Sequence, residues 1–283
     1  MNALEQMWFV RDLINEATAA HWSDVNLVKR LNAAQRKVAL KTAQSAGQWL
    51  VTSASVTPVA SVITLPADCS KPLYLEETTL GTPVPWLNSV SYRRMSRAAG
   101  TTLDSLGMRE AYPLMSTIEV NQSSYTTACT LWYQRRVPDL HAGDAAAAAS
   151  TSITLAADSN RVFLVDYYKG VTIEQYNAAA ATATYVGFRS AITASTTAGV
   201  CTVTGTPTNA YGYGTISILP EELHLLMCYM AAVDAVSKPG TTIDEKAKAN
   251  MVSDLNDMRK DAYGWLESRI PEHHGVTIGD SSL

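Results

Sequence analysis

Chemistry in this chain would have to come from a small set of side chains. Glu76, Glu77, Glu110 and Glu119 are carboxylates, but glycoside hydrolysis needs two carboxyl groups at a set separation, which linear spacing does not provide. His273 and His274 are adjacent imidazoles, yet no cysteine or carboxylate pattern beside them completes a metal-ligand set. His224 falls in a helical pattern with an apolar face, where a packed or capped histidine is expected rather than a base. Arg93, Arg94 and Arg97 share a predicted short helix, Ser89 to Ala98, and suit contacts with DNA phosphates or with acidic neighbours between subunits. The cysteines Cys69, Cys129, Cys201 and Cys228 make no Cys-x-x-Cys pair, so buried thiols are expected. There is no phosphate-binding Gly-rich loop and no Gly-x-Ser-x-Gly elbow. The chain is therefore expected to need no cofactor or metal and to have no catalytic residues.

The elements that would position these groups begin with two helix-sized segments. Leu4, Met7, Trp8, Arg11, Ile14 and Ala17 suggest one helix, with His21-Trp22 as a short connection to the next. Ser23 or Asp24 is a candidate N-cap for the second. There Leu27, Val28, Leu31, Ala34, Val38 and Thr42 recur at three- and four-residue steps, on one face at about 100° per residue. Lys29, Arg30, Arg36, Lys37 and Lys41 fall on the opposite arc, giving a basic face that suits either solvent or an assembly contact, with passing DNA the weaker alternative. Gly47 is a candidate stop.

The middle of the chain changes character. Val62 to Leu65, Leu73 to Glu77, Ser116 to Asn121 and Ala128 to Arg136 read as strands, and Thr82 to Trp86 as an edge strand or turn. Asp144 to Ser152, with five alanines, reads as a linker because it presents no periodic face. Beyond it, Ile153 to Leu155, Val162 to Val165, Val171 to Ile173, Tyr185 to Ile192 and Val200 to Thr204 are strand candidates in a stretch with few charges. Helix returns at Leu219-Pro220-Glu221-Glu222, and a last helix is expected from about Ile243 to Ser268. Pro271 and the glycines after it predict an irregular tail. The expected fold class is α+β. Helices from both ends form one bundle, a central β region follows, and residues 144–215 make an inserted small β-sandwich or barrel. Residues 1–143 and 216–283 form the core.

Composition narrows the function classes. The 283 residues are 47% hydrophobic and only 17% charged, with net charge −4. Low charge fits a surface partly covered by partners, and the mild net charge excludes a general nucleic-acid-binding polycation. No run is long and apolar enough for a membrane span, and no secretory leader pattern is seen, so assembly in a cytoplasm is expected.

Several segments together resemble tailed-bacteriophage head-to-tail adaptor (connector or neck) proteins. They are Trp22-Ser23-Asp24 followed by Leu31-Asn32-Ala33-Ala34-Gln35-Arg36, then Leu65-Pro66-Ala67-Asp68, then Trp132-Tyr133-Gln134-Arg135-Arg136-Val137-Pro138-Asp139-Leu140, then Leu219-Pro220-Glu221-Glu222-Leu223-His224 with Ala231-Ala232. Asp166 to Ile173 resembles a small β-module inserted in phage structural proteins. The order of these segments carries the likeness.

The resemblance implies a structural virion protein in the neck, between portal and tail. It implies a ring of identical subunits, usually dodecameric, that docks on the portal protein, extends the DNA channel and receives a downstream tail or nozzle protein. Contact with passing double-stranded DNA would be transient and non-specific, and no membrane is involved. Because the C-terminal helix and tail of such proteins reach the portal, Trp265, Leu266, Ile270, Pro271, His273 and His274 become portal-docking candidates. Two other readings stand beside it: a tail-associated carbohydrate- or receptor-binding module carried by the aromatic-rich β-insert, and a cell-wall hydrolase.

Overall fold

The computed structural model describes residues 1–16, 21–45, 48–86, 110–121, 125–179, 184–238 and 243–268. Arg93, Arg94 and Arg97 with their expected helix, the stop at Gly47, and Ile270, Pro271, His273 and His274 lie outside the described residues. The chain divides into two compact units. The first comprises Met1–Trp49, Asp139–Leu164 and Tyr168–Leu283; the second comprises Leu50–Pro138 and Val165–Tyr167.

The expected α+β bundle is corrected by the structure. Among the described residues, fourteen strands in four antiparallel sheets stand beside only four α-helices. The reason lies in what covers the apolar helix faces. Helix α1 (Ala3–Leu13) packs on strands β7 (Ala142–Asp144) and β14 (Gly212–Ile216) as well as on helices. Its core contains Leu140, Ala142 and Tyr176 together with helical residues such as Leu4, Leu31, Ala231 and Met251. The helices touch one another, but strand residues close their core.

Local chemistry explains where these helices begin. Asn2 caps α1: its Oδ1 accepts from Leu4 N and Glu5 N, both at 3.0 Å, while Glu5 Oε2 accepts from Asn2 N at 3.1 Å. Such a reciprocal box satisfies donors that the first turn leaves orphaned, each cap contributing about 1 kcal/mol. Asn2 Nδ2 also donates to Glu174 Oε2 at 2.6 Å and Tyr176 Oη at 2.8 Å, both on β10 (Thr172–Tyr176). The approach is so close that a Cβ at Gly214 would lie 2.6 Å from Asn2 Oδ1, so this β14 position admits only glycine without a shift. Helix α2 (Asp24–Gln44) starts at Ser23, whose Oγ accepts from Asn26 N at 3.3 Å, and it buries Leu27, Val28, Leu31, Ala34, Val38 and Thr42. Helix α3 (His224–Val236) follows a 3-10 turn, Glu221–Leu223, and packs on α1, α2 and α4 (Glu245–Ser268).

Two sheets belong to the first unit. One has the order β11 (Tyr185–Ala191), β10, β14, β7; the other runs β12 (Ala194–Ser195), β13 (Val200–Thr202), β9 (Ser152–Thr154), β8 (Ala147–Ala149). The alanine run, expected as a linker, is therefore partly strand. Ala147 pairs with Thr154 and Ala149 with Ser152 across a two-residue turn. Backbone pairing at a sheet edge overrides the helical preference of alanine, and a strand there needs no large side chain to cover a core. Conversely, Val162 to Val165, expected as a strand, is irregular and turn-like.

The second unit holds β1 (Val51–Val56), β6 (Cys129–Arg135) and β3 (Cys69–Glu77) in that order, and separately β2 (Val62–Thr64), β5 (Thr117–Val120) and β4 (Ala111–Pro113). Its core gathers Ile63, Leu75, Ile118, Leu131 and Tyr133. Alternation on β6 places Cys129, Leu131 and Tyr133 inward and Trp132 outward, the period-two signature of a half-buried sheet.

Candidate assembly surface

The basic face of α2 is not uniform. Arg36 makes a fork on Asp139: Nε to Oδ1 at 3.1 Å and Nη2 to Oδ2 at 2.6 Å. One turn earlier, Asn32 grips the next residue reciprocally, Nδ2 donating to Leu140 O at 3.0 Å and Oδ1 accepting from Leu140 N at 2.6 Å. The i,i+4 spacing puts both side chains on one side of the helix, so together they clamp Asp139-Leu140 to α2. Two of the ordered segments, Leu31 to Arg36 and Trp132 to Leu140, thus meet physically in this clamp.

The other cations divide in the same way. Arg30 is ion-paired with Asp234 on α3, and its guanidinium lies 4.1 Å from the Trp22 ring centroid. Lys41 reaches Glu267 on α4 at 3.8 Å and sits 5.4 Å from the Tyr263 ring. Lys29 and Lys37 are exposed and have no ion pair among the described residues. Beside them Leu40 is 62% exposed.

A groove of about 310 Å³ opens between the start of α3 and the last turns of α4. Leu225, Leu226, Met258, Ala262 and Trp265 supply its apolar lining, and Glu222 and Asp261 its charge. Trp265 is fixed by a near-parallel stack on Trp49, with centroids 5.0 Å apart. Of the two described portal-docking candidates, Trp265 lines the groove, while Leu266 is buried at 1% exposure and contributes to the core.

One constellation with the look of a catalytic triad was missed by the sequence reading. His141 Nδ1 lies 2.7 Å from Tyr213 Oη, and His141 Nε2 lies 3.2 Å from Asp158 Oδ1. Tyr213 Oη also accepts from Ala156 N at 2.7 Å. The Nε2 contact is close but not aligned as a hydrogen bond. Burial opposes charge on Asp158. The neighbouring His141 and the N–H groups of Asn160 and Arg161 outweigh that and hold its pKa below the ordinary 3.8. Burial pushes the Tyr213 hydroxyl well above its usual range.

Carboxylate, imidazole and hydroxyl in series would suit nucleophile activation. Here His141 and Tyr213 are both 0% exposed, so no substrate reaches them, and the series is a buried structural network. No motif announces it, because its members are scattered along the sequence and meet only in the fold. A signal for the Asn2 cap did exist, in Asn2 followed three residues later by Glu5.

His224 is 2% exposed with Nε2 3.1 Å from Leu219 O, and its pKa is lowered chiefly by burial. All four cysteines are free; burial raises Cys201 and Cys228 to about 12 and Cys69 to about 11. Among the described residues no group of three or more His, Cys, Asp or Glu is placed to hold a metal, and no helix is long and apolar enough to cross a membrane. Tyr168, Tyr176 and Tyr213 are buried, whereas Tyr185 is 45% exposed. No family model matches the chain, and no curated protein matches it.

Proposed function

We propose that this chain is a structural protein of a tailed-phage neck, a ring-forming adaptor that binds beneath the portal, continues the DNA channel and receives the tail. The reading rests on the ordered segments that resemble such adaptors. The observation that carries it in the fold is the adjacent pair Phe163-Leu164, exposed at 62 and 51%. Adjacent large apolar side chains facing water are unfavourable in a chain that works alone and become favourable when a partner covers them. Arg161, 5.1 Å from the Phe163 ring, gives that surface a polar edge. Trp265 at the groove offers a second place for an apolar anchor, since tryptophan is enriched among interface hot spots.

The test is electron microscopy of the full chain alone and mixed with its portal ring. Rings on the portal are expected, and Phe163→Asp with Leu164→Asp should abolish docking while thermal stability stays nearly unchanged. A chain that remains monomeric with and without the portal overturns the reading.

A second reading, glycan binding, is favoured by one observation, though away from residues 144–215. Tyr74 and Trp132 are register partners on β3 and β6, exposed at 40 and 39%, and Trp132 Nε1 donates to Glu76 Oε1 at 3.2 Å. Two exposed aromatic side chains at paired strand positions beside a carboxylate suit stacking on a sugar ring. Glycan-array binding lost on Trp132→Ala would favour it.

A further inference from the structure

We infer that the outer stripe of α2 in one copy of this chain docks on the α3–α4 groove of a second copy; this rests on the ring reading above and names the surfaces that would make the ring. At 3.6 residues per turn, Lys29, Ala33, Arg36, Lys37 and Leu40 fall within roughly 100° of arc. Lys29 and Lys37 have no ion pair among the described residues, and Leu40 projects between them at 62% exposure. The stripe is a cationic edge with one apolar knob.

The groove presents the opposite pattern. Asp254, Asp257 and Asp261 lie within roughly 60° of arc on α4. All three are exposed, and they have no ion pair among the described residues. Glu222 adds a fourth such carboxylate from the opposite wall. Next to this acidic line, Leu225, Met258, Ala262 and Trp265 form an apolar recess large enough for a leucine side chain.

The spacings agree. Lys29 to Lys37 spans about 12 Å of helix and Asp254 to Asp261 about 10.5 Å, at 1.5 Å per residue. With Leu40 in the recess and α2 running parallel to α4, Lys37 comes beside Asp257 and Asp261, and Lys29 within side-chain reach of Asp254. The two surfaces are different patches of one protein. Such a contact is heterologous, and repetition about an axis closes a ring where a self-complementary contact would stop at a dimer. The choice of a second copy as occupant follows from this charge complementarity: the unpaired cations and the unpaired acids belong to the same chain.

The test uses the full chain, with assembly followed by analytical ultracentrifugation and electron microscopy, with and without the portal. Lys29→Glu with Lys37→Glu, and separately Asp257→Lys with Asp261→Lys, should each raise the concentration for half-assembly by about tenfold or more. The chain carrying all four changes should recover rings. Equal parts of the two double variants should co-assemble with the variants alternating, because each stripe then faces an oppositely charged groove, the new glutamates meeting the new lysines and the native lysines meeting the native aspartates. Circular dichroism melts that match the unaltered chain show that folding is intact. Rings that form normally in both double variants overturn the interface and leave the ring reading standing. An unaltered chain that forms no ring, even on the portal, overturns both.

Discussion

Two carboxylates in the first unit are held by a basic side chain, and they teach opposite lessons. Asp158 is held by His141 in a setting where the histidine and its tyrosine partner are sealed from water. Asp139 is held by Arg36, whose side chain is 66% exposed. The sealed arrangement has the order of groups that acid–base catalysis uses, but no access. The open arrangement has access but fixed, saturated charges. Burial, rather than residue type, separates a structural network from a working surface. In this chain the network that resembles a triad lies inside.

The largest expected effect breaks the sealed side. His141→Ala leaves the buried Tyr213 and the half-buried Asp158 without their common partner and opens a cavity between them, and the loss should cost about 3 kcal/mol. Urea denaturation should show it, with ring formation by the surviving folded fraction unaltered. A loss as small as that of a surface change would mean that the network is not structural.

Asn32→Ala comes next. It orphans the buried N–H and C=O of Leu140 and should cost about 2 kcal/mol in the same measurement. Because Asn32 and Arg36 share the clamp, their double change should be non-additive.

The acid limb of stability sharpens the comparison further. The folded pKa of Asp158 lies below its unfolded value of 3.8. Its stabilisation is therefore present above that value and is lost as pH falls through the lower folded pKa. The stability gap between the unaltered chain and Asp158→Asn should stay constant above the unfolded pKa and narrow on acidification below it. A gap that widened as pH fell would reverse the sign and refute the assignment.

The smallest effect is expected at Arg30, whose partner Asp234 is 54% exposed. Arg30→Ala should cost about 1 kcal/mol or less, part of it from the lost Trp22 contact, and the ionic share should fade in salt. A loss rivalling that of His141→Ala would erase the distinction between the regions.

Much of the element pattern was legible in the chain. The apolar steps of α2 and α4 named their buried sides, and β2, β5 and β6 lie within their expected runs. Two segments misled for a physical reason. Ala147 to Ala149 forms a strand because β9 offers it a backbone partner, and Phe163 to Val165 forms none despite a strong apolar run. Local composition records what a segment could bury and omits which edge is free to pair with it. The bundle expectation failed in the same way, since periodicity shows that a helix has an apolar side but not whether a helix or a sheet will cover it.

By itself, then, the sequence determined the helical faces and the set of cations on α2, properties of neighbours three or four residues apart. Only the tertiary structure decided which of those cations are spent within the chain. Arg30, Arg36 and Lys41 meet acids far away in sequence, and among the described residues Lys29 and Lys37 meet none. The ion pairs depend on distances between remote segments, and those distances exist only once the core has brought α2, α3, α4 and Asp139 together.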